Sequence, residues 1–129
     1  MKTELISPGK TGIATTTVTK DNTASAIKSG ALDVFSTPMM IALMECAACE
    51  CLADCLDDGE ASVGTAVDIE HLAASPVGAK ITATAAINGI DGRKIEFAVT
   101  ANDEQREIGK GKHSRFVVDT ERFLKKAKG

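Results

Sequence analysis

The chain has no tryptophan and no tyrosine, and only four phenylalanines among its 129 residues. Its core must be filled by aliphatic and small side chains, and there is no set of aromatics to stack on nucleobases. Positive charge is not in excess. Fifteen Lys and Arg against 18 Asp and Glu give a net charge of −3, which argues against a nucleic-acid partner. No apolar run approaches the ~18 residues of a membrane span, so no membrane partner is expected. Met1-Lys2-Thr3-Glu4 lacks the apolar stretch of a secretory signal, and a cytoplasmic location is the default expectation.

Cysteine is present but confined. Cys46, Cys49, Cys51 and Cys55 fall within ten residues of one predicted helix. Such a cluster cannot tie distant segments together, so reduced thiols in a reducing compartment are expected. The pattern C-x2-C-x-C-x3-C has no second Cys/His pair near it, and a regular helix aims these side chains around much of its barrel. They are read as small core residues, with no metal site and no cofactor.

The length suits one domain spanning 1–129. Gly12 to Lys20 reads as a weak Thr-rich strand. Thr37-Pro38 announces a helix, with Thr37 as N-cap and Pro38 at the first helical position. The apolar run continues to about Leu56, and Asp57-Asp58-Gly59 ends it. Four strands follow. Val63, Thr65, Val67, Ile69 and His71 alternate onto one face; Ile81 to Ile87 and Ile95 to Ala101 alternate likewise. Asn88-Gly89-Ile90-Asp91-Gly92 carries hairpin turn chemistry. Ile108 to Val118 is the last strand, with a bulge or close approach at Gly109 and Gly111. Thr120 to Gly129 reads as a short basic helix, a solvated tail. The helix is apolar nearly all round and must be covered on most sides. The predicted architecture is α+β: an antiparallel sheet wrapped around one long central helix, in the order β-α-β-β-β-β, with edges open to a second copy.

Glu45 is the only charged residue in the run from Thr37 to Cys49. Its helical neighbours are Ile41, Ala42, Ala48 and Cys49, whereas Glu50, Asp54 and Asp57 form a separate solvent stripe. An acid on an apolar face is costly without a partner. His71, on the strand face expected to look at the helix, could supply one. Thr37 offers a hydroxyl beside the free amides of a helix N-terminus, which suits a polarised carbonyl. His113 and Arg115 share a strand face, as either a solvated polar strip or a cationic contact for a phosphate or carboxylate.

Phe35 to Met40 with Glu45, Gly64 to Gly78, and Ile108 to Val118 together resemble the fluoroacetyl-CoA thioesterase-like branch of the hot-dog-fold superfamily. The resemblance runs from about Gly12 to Val118. It implies a hot-dog fold, and a homodimer made by joining two sheets edge to edge, with sites at the subunit interface. It implies catalytic roles for Thr37, Glu45 and His71, and an acyl-CoA substrate. Gly64 would lie beside the reacting carbonyl, Arg115 with His113 would support the site, and Phe35 and Pro76 would contact substrate. In the fluoroacetyl-specific enzyme the stretch before the helix supplies Phe residues to a lid. Here Ala26 to Leu32 has no aromatic, so a plain small or medium acyl thioester is expected. The alternatives are a non-catalytic acyl-CoA binding module and a hydratase or dehydratase on the same scaffold.

Overall fold

Five antiparallel strands and one long helix make up most of the computed structural model, which describes residues 1–129. A 3-10 turn at Thr3–Leu5 precedes β1 (Thr11–Thr17) and α1 (Thr37–Leu52). A second 3-10 turn at Ala53–Cys55 leads to β2 (Glu60–His71), β3 (Lys80–Asp91), β4 (Lys94–Asn102), β5 (Glu107–Asp119) and α2 (Thr120–Ala127). The strand order is β1-β3-β4-β5-β2. The sheet wraps α1, as in the expected hot-dog arrangement, and β1 and β2 are its two edges.

Alternation along β3 and β4 gives the sheet its inner face. Ile81, Ala83, Ala85, Ile87, Ile95, Phe97, Val99 and Ala101 are buried against Met40, Met44, Ala47, Ala48, Cys51 and Leu52 of α1. Cys51 and Cys55 are core residues, while Cys46 and Cys49 are exposed, and all four are free thiols. With so few aromatics the helix must sit close to the sheet. Gly12 permits this on β1: a Cβ there would collide with the Ala47 carbonyl and the Cys51 backbone.

Several local expectations are corrected. Ser36, not Thr37, is the N-cap: its backbone is extended and its hydroxyl accepts from the Met39 amide at 3.3 Å. Two adjacent hydroxyls could cap the helix, and the backbone turns only after Ser36. Thr37 is therefore the first helical residue, and its side chain is released from capping. The α-helix ends at Leu52 rather than Leu56, because the chain tightens into the 3-10 turn before Gly59, at φ 82°, redirects it. The hairpin turn expected across Asn88 to Gly92 is formed only at the last of those residues. β3 runs on to Asp91 through an irregularity between Ile87 and Gly89, and the tight turn falls at Gly92-Arg93, with Gly92 at φ 61°.

The most consequential correction lies in β2. Its pairing with β5 shifts between Gly64 and Ala66. That extra residue reverses the side-chain parity. Val67, Ile69 and His71 pair with the inward positions His113, Gly111 and Gly109, as the alternation predicts. Ahead of the shift, however, Ser62 and Gly64 face inward, not Val63 and Thr65.

Replacing Gly12 by Ala forces backbone against backbone under α1 and should cost about 1–3 kcal/mol. Denaturant unfolding checks this: the midpoint should fall with the slope unchanged.

Candidate active site

Two polar clusters face the helix side of the sheet, and they are separate within one protomer. The first is at the start of α1. Releasing Thr37 from capping leaves its Oγ1 2.7 Å from His71 Nδ1. Burial lowers the pKa of His71 from its ordinary 6.5, which favours the neutral ring. Its Nε2 is buried and has no hydrogen-bond partner. Thr37 and His71 line a hollow of about 330 Å³ with Phe35, Val34, Ser29 and Leu72.

The second cluster surrounds Arg115, which is only 6% exposed. Its Nε donates to Ser62 Oγ at 2.9 Å and its Nη2 to the Ser62 carbonyl at 3.0 Å. Its Nη1 donates to Glu45 Oε2 at 3.3 Å and to His113 Nε2 at 3.1 Å. His113 Nδ1 lies 2.9 Å from the Ala66 carbonyl. Since one ring nitrogen faces a carbonyl and the other faces a donor, His113 must be neutral with its proton on Nδ1. Burial lowers its pKa, and the Arg115 charge acts in the same direction against the pull of Ala66 and Glu45.

Gly64 is part of this cluster through what it lacks. Glu45 Oε2 occupies the place a Cβ would take, with His113 Cε1 at 3.2 Å and Arg115 Nη1 at 3.3 Å from that point. Glu45 is not the enclosed acid expected from its apolar neighbours: its side chain is 41% exposed. The helix face it occupies looks toward β2, an edge strand, and nothing in the protomer covers that side. Glu45, Gly64 and His113 line a second hollow of about 320 Å³ with Ile41, Ala66 and Val67.

The expected pairing of Glu45 with His71 is therefore not made inside one chain. The eight residues from Thr37 to Glu45 span about 12 Å along the helix axis. His71 meets Thr37 and Glu45 meets Arg115, in hollows that share no residue. Phe35 is buried in the wall of the first hollow. Pro76 is in neither: it is exposed, bridged to Val34, and borders a third depression with Asp103 to Arg106. Ser62 was missed by the sequence reading. Its only signal was its place two residues before a glycine that interrupts the alternation.

Burial lowers the pKa of both histidines below the ordinary 6.5, so the unfolded chain binds more protons as pH falls through 6.5. Stability should fall as pH drops from 6.5 toward 5, in addition to any carboxylate effect. A His113→Asn variant should show a lower melting temperature at pH 8 but a shallower acid slope. Calorimetric scans across that range check this, and equal slopes would count against it.

Residues 18–121 match the family model described as fluoroacetyl-CoA-specific thioesterase. The fluoroacetyl-CoA thioesterase of Streptantibioticus cattleyicolor is 41% identical over 96 residues, covering 74% of this chain and 69% of that protein. A solved complex of a point mutant of the thioesterase FlK with fluoroacetate and CoA superposes with a TM-score of 0.87 at 34% identity. The superposition covers 92% of this chain and 99% of that one. A hot-dog-like protein from Thermanaerovibrio acidaminovorans has the same fold, with a TM-score of 0.87 at 24% identity over 96% of this chain and 92% of its own.

Proposed function

The chain belongs to the fluoroacetyl-CoA-specific thioesterase family, and on that premise we propose that it hydrolyses a small or medium acyl-CoA thioester to the free acid and CoA. The observation that carries this is the 2.7 Å contact between Thr37 Oγ1 and a histidine kept neutral by burial. A neutral ring with a bare Nδ1 is a base for the threonine hydroxyl. Thr37 Oγ1 attacks the thioester carbonyl carbon while Nδ1 takes its proton. The tetrahedral intermediate collapses, the carbon–sulfur bond breaks, and the imidazolium returns the proton to the leaving sulfur. The products of this half are acyl-Thr37 and CoA thiol.

Glu45 acts in the second half. It takes a proton from water as the water attacks the ester, and gives it to the departing Thr37 oxygen. For this it must reach the Thr37 hollow, and a second copy of the chain supplies the route. β2 is an edge strand exposed from Gly64 to Asp68, with Val67 47% exposed. Two such edges joined antiparallel about a two-fold axis in that stretch turn His71 of one copy toward the Glu60–Gly64 end of the other. Each site then takes Thr37, His71 and Phe35 from one copy, and Glu45, Gly64, His113 and Arg115 from the other. The Gly64 backbone N–H lies beside the reacting carbonyl, and Arg115 and His113 position Glu45. Such a joint would bury the exposed acid's open side and the unpaired edge together. The absence of aromatics in Ala26 to Leu32, beside this hollow, supports an unfluorinated acyl group.

Glu45→Gln should lower turnover at least ~10²-fold and leave an acyl adduct on Thr37 visible by mass spectrometry of the intact protein. Near-normal turnover in that variant removes Glu45 from the chemistry, and a panel of acyl-CoA substrates with no free acid formed sinks the hydrolase itself. Sharing between copies has its own readout. Thr37→Ala and Glu45→Gln should each be inactive alone, and co-refolded together should recover roughly a quarter of wild-type activity, because half the dimers are mixed and each mixed dimer holds one intact site. No recovery on mixing overturns the sharing of one site between two copies.

A further inference from the structure

We propose that the groove between α2 and the outer face of β5 binds the phosphorylated adenosine diphosphate end of the CoA substrate; this rests on the acyl-CoA reading above. The groove holds about 460 Å³ and is walled by Phe116, Phe123, Arg93, Arg122 and Lys126. Phe116 and Phe123 are 42% and 41% exposed, an unusual display in a chain with only four phenylalanines. α2 starts directly from β5, capped by Asp119, whose carboxylate accepts from the Arg122 amide at 2.9 Å. That cap fixes the helix so that Arg122, Phe123 and Lys126, at spacings of one and four, overhang Phe116.

Two carboxylates also border the groove, and both have partners. Glu60 is paired with the N-terminal ammonium and, at 3.0 Å, with Arg93. These contacts, the ammonium foremost, hold its pKa down at about 2. Asp119 is the helix cap. Arg122 and Lys126 have no acidic partner at all among the chain's ion pairs. Two open aromatic faces beside two unpaired cations form a surface on which an adenine can stack while its phosphates are neutralised.

The position suits the substrate. Phe116 follows Arg115 in the chain and pairs with Val63, the neighbour of Gly64. The groove is thus directly behind the Glu45 cluster, across the thickness of one sheet. For His71 of one copy to approach Glu45 of the other it must lie opposite Gly64. Its strand ends there, which leaves the Glu60–Val63 edge uncovered for the pantetheine arm to pass. The family match ends at residue 121, so Arg122, Phe123 and Lys126 lie just beyond the matched segment.

The test compares acetyl-CoA with acetyl-pantetheine, the same thioester without the nucleotide, in the double variant Arg122→Glu/Lys126→Glu and in Phe123→Ala. KM for acetyl-CoA should rise about tenfold in the double variant with kcat unchanged, and KM for acetyl-pantetheine should stay where it is. Added salt should raise the wild-type KM for acetyl-CoA alone. An acetyl-CoA KM within twofold of wild type overturns the proposal, and so does equal weakening of both substrates. A loss confined to an acyl group carried on acyl carrier protein overturns it in favour of a protein-borne thioester. If the wild type hydrolyses neither substrate, the proposed activity fails, and calorimetric titration with CoA decides the groove separately. Binding weakened tenfold by the double variant sustains it; absent or unaltered binding ends it.

Discussion

A guanidinium cannot be left unpaired in a protein interior, and the arrangement around Arg115 follows from that constraint. Its donors go to both oxygens of Ser62, to His113 and to Glu45. Each partner is then fixed in turn. Ser62 must face inward, which requires the register shift in β2. His113 must accept on Nε2, which sets its tautomer and sends its other nitrogen to the Ala66 carbonyl. Glu45 must lean toward β2, which requires a residue with no side chain at Gly64. Removing one partner would leave buried charge or a buried donor uncompensated, at a cost of a few kcal/mol.

The same constraint separates the acid from the imidazole. Glu45 is tethered to the β5 side of the molecule, while His71, at the end of β2, bonds the first residue of α1. One chain therefore holds two separate polar clusters, each of which is half of a site on the function proposed above. Edge position explains why both stay open. β2 has β5 on one side only, so the Glu45 carboxylate and the apolar side chain of Val67 remain partly in solvent. A second edge of the same kind is the simplest surface that would complete both the sheet and the chemistry. On the outer face of the sheet α2 brings Phe123 beside Phe116, so two of the four phenylalanines are displayed while Phe35 and Phe97 are buried.

Much of the fold was legible because burial on one face imposes a period. In β3 and β4 each inward position is apolar and each outward one is polar or small, so Ile81 to Ile87 and Ile95 to Ala101 could be assigned from alternation. The apolar run after Thr37 could only be a covered helix, although its α-helical part stops at Leu52, four residues short of the end that Asp57-Asp58-Gly59 suggested. The resemblance to hot-dog thioesterases rested on residues that include Thr37, Glu45, Gly64 and His71, and the family match supports it. The local errors share a cause. Ser36 against Thr37 as cap, the position of the hairpin turn at Gly92-Arg93, and the parity of β2 each depend on one residue's backbone angles or pairing partner, which a pattern of side-chain types does not encode.

Sequence alone determined the fold class, the elements and the residue types able to do acyl chemistry, because periodic burial and residue chemistry are local properties of the chain. The tertiary structure decided which of those residues meet. Glu45 found Arg115, which also holds Ser62, rather than His71, because one extra residue in β2 turned Ser62 and Gly64 inward and because the assembled sheet and helix bring Arg115 to partners 53 and 70 residues away. Contacts at that separation depend on register and on the need to satisfy every buried charge, and both are set only when the whole sheet is assembled.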